Sequence, residues 1–332
     1  MIREEQSAAT SRGVAILRGK STRRQWFSLA AGATSFLNGC TKRPPTLVYV
    51  NSYHAGYGPS DAIAEGIRDG LPSPDFDLIT VFLDGKRNPE LLPGAAAKAL
   101  DVIRTRKPDV ILVSDDDAMA HLVVPHLREG PTPVLFCGVN WSAEAYEVPN
   151  RNVTGMLEVL PVEETIQMVK AQRPEIKDLF VLSEDSASEH KNRRFLDPIY
   201  WRSGLSTTYG LVPNFEEWKK AFTWANRNTD VVFFITHGAI KNWDEEQAVQ
   251  HIREHIRVPV FTCDDWMIRY CVVGRVKESR EPGDWIAKQA IRILAGTTPE
   301  EIPLTRNKLS HPLGNRDLAG RIGFSLPPEA EA

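Results

Sequence analysis

Residues 46–61 read Thr46-Leu47-Val48-Tyr49-Val50-Asn51-Ser52-Tyr53-His54-Ala55-Gly56-Tyr57-Gly58-Pro59-Ser60-Asp61. Leu47 to Val50 is a short unbroken apolar run rich in valine, the pattern of a strand covered on both faces. It gives way to a polar, glycine-bearing turn. An amphipathic stretch follows, Ser60 to Leu71, with Ile63, Ile67 and Leu71 at helical spacing and Ser60 placed to cap it. Strand, polar turn and helix open an α/β unit, and ligands of such units sit beyond the carboxyl ends of the strands.

The same rhythm continues outward. Strands are expected at 78–83, 110–113 and 134–137, and helices at 89–106 and 118–128. It then restarts, with helices at 161–172, 188–200, from Asn214 and at 243–255, and strands at 179–183, 207–211, 231–236 and 258–262. A further helix is expected at 282–294, then an extended stretch from Ile302. The chain of 332 residues is long enough for two domains. The expected architecture is therefore α/β and two-lobed, each lobe a parallel sheet flanked by helices. Its boundaries are expected at 46–150 for the first lobe and 151–263 for the second. Residues 264–297 are expected to return to the first lobe, and 298–332 to cross back toward the second.

The N-terminus reads as an address. Arg23 and Arg24 precede a short, mildly apolar stretch from Phe27 to Leu37, and Leu37-Asn38-Gly39-Cys40 resembles a bacterial lipobox. Residues 1–39 are expected to be a twin-arginine-like signal peptide and Cys40 the lipidation site, with 40–45 a tether. That places the mature protein in the periplasm or at the cell surface, held to the membrane by lipid. The leader carries six of the basic residues and two of the acidic ones, so the formal charge of −3 becomes about −7 without it. Such a body has no electrostatic reason to bind nucleic acid. Cys137 reads as a buried small hydrophobe. Cys263 and Cys271 are the pair available for a disulfide in an oxidising compartment.

The polar residues after each strand are the candidate ligand contacts. In the first unit they are Ser52, Tyr53, Tyr57, Ser60 and Asp61, then Asp115 and Asp116 of the Asp115-Asp116-Asp117 run, then Asn140 and Trp141. In the second they are Glu184, then Thr236 and His237, then Asp265 and Trp266 of Asp264-Asp265-Trp266. Hydroxyls, amides, carboxylates and aromatic rings suit a small polar ligand. Several have duller readings: Ser60, Asp61 and the three aspartates as helix caps, His237 as a satisfied strand-end histidine. No EF-hand spacing follows Asp115, and His251 and His255 lack the glutamate of a zinc-protease motif. No P-loop, glycine-rich dinucleotide loop or nucleophile elbow is present, so neither a metal, a cofactor nor catalysis is expected.

The segment Asn51 to Tyr57 with Ser60-Asp61 resembles the opening of ABC-transporter substrate-binding proteins of the TrpX-like group, a module also found as an extracytoplasmic sensor domain. Ser114-Asp115-Asp116, Phe136-Cys137-Gly138-Val139-Asn140, Asn152-Val153-Thr154-Gly155 and Ile302-Pro303 extend the resemblance in order along the chain. It implies a type I periplasmic-binding fold, a monomer that closes its lobes on a small-molecule ligand, and an ABC permease or a membrane sensor as partner. It places hinge segments near Asn140 to Met156, Thr262 to Trp266 and Thr298 to Pro303. Tyr53, Ser60 and Asp115 would face Glu184, Thr236 and Asp265 across the cleft. Carboxylates for an amine and helix N-termini for a carboxylate make an amino acid the expected ligand, and a stacked nucleoside the alternative.

Overall fold

The computed structural model describes residues 43–330. The leader, Cys40 and the first part of the tether lie outside the described residues. From Arg43 onward the chain is one compact unit.

The first half alternates β1 (Thr46–Asn51), α1 (Gly58–Gly70), β2 (Asp77–Phe82), α2 (Leu92–Arg106), β3 (Val110–Ser114), α3 (Asp115–Ala118), β4 (Val134–Asn140) and β5 (Val153–Glu158). α3 runs directly into a π-helix, Met119–Leu127. Next come α4 (Val162–Gln172), β6 (Asp178–Glu184), α5 (Ala187–Arg202), β7 (Ser206–Val212), α6 (Phe215–Asn228), β8 (Val231–Phe234), α7 (Glu245–His255), β9 (Val260–Asp264) and β10 (Val273–Lys277). α8 (Glu281–Leu294), β11 (Thr305–Arg306), β12 (Ser310–Gly314) and α9 (Arg316–Arg321) complete the described elements. Two six-stranded sheets result, ordered β11-β5-β4-β3-β1-β2 and β12-β10-β9-β8-β6-β7. Within each sheet the neighbours run parallel except β12, which is antiparallel to β10.

β1 is buried along its whole length because helices cover both faces. Val48 and Val50 point into one apolar cluster with Leu100, Ile103 and Leu122. Leu47 and Tyr49 point into the opposite cluster with Ile63, Ile67 and Ile286. The second lobe is built around Trp218, Phe222, Phe233 and Phe261. Three of its helices start on side-chain caps: Ser186 accepts from the Glu189 N–H, Asn214 from Glu217 and Asp244 from Gln247. Ser60 does not cap α1; that helix begins at Tyr57 with Pro59 in its first turn.

The expected lobe boundaries move. β5 pairs with β4, so the first lobe extends to Glu158 rather than 150. β10 pairs with β9, so the second lobe extends to Lys277, and the chain re-enters the first lobe only with α8. β11 then joins β5, and β12 returns to β10. The three crossings are therefore 159–161, 278–280 and 307–309, not the segments expected. They are tied together: Val159 N–H donates to Asn307 Oδ1 at 2.7 Å, and Glu278 N–H donates to Leu309 O at 3.1 Å. Cys263 and Cys271 are both free and buried, so no disulfide joins them.

α8 meets α1 through glycines. A Cβ at Gly283 would lie 2.2 Å from the Ile63 carbonyl oxygen, and one at Gly70 would lie 2.5 Å from Ala287 Cβ. Gly283→Ala should therefore cost about 1–3 kcal/mol by forcing the two backbones apart. Urea-unfolding midpoints of the variant and parent check this, and an unchanged midpoint would mean that α8 does not pack this closely.

Candidate functional site

The two sheets point their carboxyl ends at each other, and seven of the strands end there on a polar or charged residue. Asn51, Ser114, Asn140 and Glu158 end β1, β3, β4 and β5, while Glu184, Asp264 and Lys277 end β6, β9 and β10. Between them lies a cavity of about 60 Å³, lined from both lobes. Tyr53, Tyr57 and Trp266 give it aromatic walls, with Tyr57 edge-on to the other two rings at 5.4 and 5.5 Å between centroids. A wider cleft of about 1110 Å³ shares Tyr53, Tyr57, Lys86 and Ser188 with it.

Two lysines enter this region, each held by carboxylates. Lys86, on the loop after β2, reaches across to Glu184 at 2.5 Å, with its ammonium 4.9 Å from the Tyr53 ring centre and 5.4 Å from that of Tyr57. The Glu184 side chain is fully buried, and its second oxygen accepts from the Ala239 N–H at 2.6 Å. Burial alone would lower the Lys86 pKa, but Glu184 outweighs it and the ammonium is held more firmly than in water. Lys277 sits 2.7 Å from Asp264 of its own lobe and 3.3 Å from Glu158 of the other. Asp264 and Glu158 likewise overcome its burial and raise its pKa. A third pair spans the lobes at the rim, Lys191 to Asp116 at 2.6 Å.

The carboxylates outnumber these cations. Asp115 holds an unusual backbone, with φ of 68°. It lies against Gly138, where a Cβ would stand 2.9 Å from Asp115 Oδ1, so a glycine is what lets the carboxyl lie there. Burial, and then Glu158, push its pKa well up. Glu189, in the first turn of α5, is pushed to about 7 by burial and then by Glu184. Asp115 Oδ2 and Glu189 Oε2 are buried without a hydrogen-bond partner.

The expected contacts separate into two groups. Tyr53, Tyr57, Ser60, Asp115, Asn140, Thr236 and Trp266 line the cavity. The others do structural work beside it. Ser52 Oγ donates to Ser114 O at 2.5 Å and accepts from the Ala118 N–H, fixing the turn into α3. Asp61 accepts from the Gly56 N–H. Asp116 accepts from Asn140, Tyr146 and Lys191 and aligns the ends of the lobes. Trp141 stacks on Phe195 at 5.8 Å and donates to Asn192. His237 stacks on Trp243 at 4.2 Å in the wider cleft, where burial pushes its pKa down to about 3 and keeps it neutral. Glu184 acts through Lys86. Asp265 accepts from the Trp266 N–H and from Ser279, and Asp264 takes the lining position expected of it, because β9 continues through Asp264.

Lys86, Glu158, Glu189, Asn192 and Lys277 are lining residues that the sequence reading passed over. A signal existed for one of them: Glu158 closes the largely apolar stretch Val153 to Leu157, as strand-end residues do. Among the described residues no group of three or more His, Cys, Asp or Glu is arranged to hold a metal ion, and no helix is long and apolar enough to cross a membrane. The three consecutive aspartates splay: Asp115 to the cavity, Asp116 to Asn140 and Lys191, Asp117 toward Gly85.

A family model described as ABC transporter substrate binding protein matches residues 57–329. No curated protein matches the chain. Among solved structures, an ABC domain from Streptococcus pneumonia in complex with L-Trp is 17% identical with a TM-score of 0.69, covering 87% of this chain and 99% of its own. A conserved domain protein from Vibrio cholerae O1 biovar eltor is 17% identical with a TM-score of 0.68, covering 86% and 96%. The 5-methylthioribose transporter solute binding protein from Thermotoga lettingae, in complex with 5-methylthioribose, is 12% identical with a TM-score of 0.59, covering 86% and 96%. At these identities the likeness is one of fold: the two-lobed periplasmic-binding architecture.

Proposed function

Because this chain belongs to the ABC transporter substrate-binding protein family, we propose that it captures a small amine-bearing solute outside the cytoplasm and hands it to an ABC permease. The family is one of substrate-binding proteins, which take up small molecules. One observation carries the reading: both lobes furnish the walls of a single cavity at their facing strand ends. A solute there touches both lobes only when they are together, so it binds the closed form better than the open one and shifts the population toward closure. The permease would read the closed shape. Cys40 would carry the lipid that keeps the receptor, as a monomer, beside the membrane. The L-Trp bound in the Streptococcus structure supports an amine joined to an aromatic body as the first class to try.

A thermal-shift series on residues 41–332 tests this, with amino acids, nucleosides, amines and small organic acids. A solute binding only the native state adds about 2.7 kcal/mol at a hundred times its Kd. In a chain of this size that raises Tm by roughly 5 °C. A saturable rise with one class is the expected result. A folded sample that shows no rise with any class overturns the proposal.

A further inference from the structure

We propose that the solute is an organic cation: it presents a protonated amine between Asp115 of one lobe and Glu189 of the other, and it carries no carboxylate of its own. This rests on the reading of the cavity as the solute site. Asp115 and Glu189 are 8% and 4% exposed, both line the cavity, and each keeps one buried oxygen without a hydrogen-bond partner. Ser114 and Ser183 stand near enough to ease these charges but complete no hydrogen bond to those oxygens. Buried polar atoms in folded proteins are almost always paired, so two orphan acceptors in one cavity mark places for donors that arrive from outside.

The charged and amide donors lining the cavity are, by contrast, engaged, and among the donors of the described lining residues only the Trp266 indole N–H is buried without a partner. Lys86 is on Glu184 and Lys277 on Asp264 and Glu158. Asn140 Nδ2 donates to Asp116, Asn192 Nδ2 to Glu189 Oε1, and Ser60 Oγ to Asn51. A solute carboxylate would find no spare cation and would face Asp115, Glu158, Glu189 and Asp264. An ammonium supplies three donors and the missing positive charge. Lys86 already lies over the rings of Tyr53 and Tyr57, and the Trp266 ring adds a further aromatic surface for a cation with an apolar body.

Proton linkage gives the proposal a second signature. Asp115 is faced by Glu158 of β5, its neighbour Asp116 and Lys86; Glu189 is faced by Glu184 of β6 and by Lys86. A cation that seats against Glu189 must expel the proton held there below pH 7. Its affinity should rise about tenfold from pH 6 to pH 8. A ligand that uses the protonated acids as donors to its own carboxylate would weaken over the same range.

Isothermal titration of residues 41–332 with matched pairs decides the matter: phenethylamine and phenylalanine, tryptamine and tryptophan, putrescine and ornithine, agmatine and arginine. At least one amine should bind ten times or more tighter than its amino acid. Its affinity should rise with pH, and Asp115→Asn and Glu189→Gln should each weaken it at least tenfold. These variants should remain folded. Glu189 has a folded-state pKa above its unfolded value, so its burial favours the fold at low pH and loses that advantage as pH climbs to about 7. Glu189→Gln should thus melt no lower than the parent at pH 8. If amino acids bind and their amines do not, the cation proposal falls while solute capture stands. If an amine binds equally well to both variants, the assigned seat is wrong. If neither class binds, nor any other solute in the thermal-shift series, the solute-site reading fails as a whole.

Discussion

Lys277→Met should lower the free energy of unfolding by about 3–5 kcal/mol, the cost of leaving buried charges without their partner. The lysine ends β10 with its side chain 5% exposed, between Asp264 at 2.7 Å and Glu158 at 3.3 Å. Methionine keeps the length and the apolar stem, so little packing is lost. What is lost is the one ammonium shared by two carboxylates from different lobes. Glu158 and Asp264 are both largely buried while the lobes are together, at 16% and 9% side-chain exposure, so each must take up a proton or force the site apart. Urea unfolding at pH 7 measures the loss. Adding Glu158→Gln and Asp264→Asn to the same chain should recover most of it, since a site with no charges has none to strand. A single variant within about 1 kcal/mol of the parent would mean that the triad is hydrated in solution.

Lys86→Met should act on shape rather than on unfolding. Lys86 belongs to the first lobe and Glu184 to the second, and the glutamate is wholly buried in the closed form. Without the ammonium, Glu184 retains only the Ala239 N–H on its other oxygen. Opening the lobes hydrates that carboxylate at once, so the cheapest response is to open. The closed form then bears a penalty of a few kcal/mol, and every solute that needs closure must overcome it. Affinity should fall by roughly a hundredfold or more, at 1.4 kcal/mol per tenfold. Small-angle scattering of the empty variant should show a larger radius of gyration than the parent. Lys86→Arg, which keeps the charge, should move both quantities much less. Unchanged scattering and unchanged affinity would refute the latch.

How much of this was legible follows from what sequence encodes locally. The buried run Leu47 to Val50 and the spacing of Ile63, Ile67 and Leu71 announce an α/β unit, because burial on both faces leaves a continuous apolar strand. Which sheet a strand joins is not local. Val153 to Glu158 follows a turn at Asn150 and looks like the opening of a new lobe, yet it pairs with β4. Val273 to Lys277 contains Gly274 and Arg275 and hardly reads as a strand, though it binds the second sheet to β12. The site suffered from the same limit. Reading the residues after each strand found Tyr53, Tyr57, Asp115 and Trp266, but a strand end misplaced by two residues exchanged Asp264 for Asp265. Lys86 lies in a loop, and its partner is 98 residues away, so nothing near it in the chain marks its role.

The packing of α8 on α1 also bears on the order in which the protein can be made. A ribosome delivers β1 to β5 first, but the apolar side of α1, with Ile63 and Ile67, waits for Ile286 and Ala290, and the edge of β5 waits for Thr305. More than a hundred residues of the other lobe must emerge in between. Neither half can be finished as it leaves the exit tunnel, and neither can be excised by a single cut. The nascent chain has to stay uncommitted until almost its last helix is out, which makes late, long-range closure part of its biogenesis.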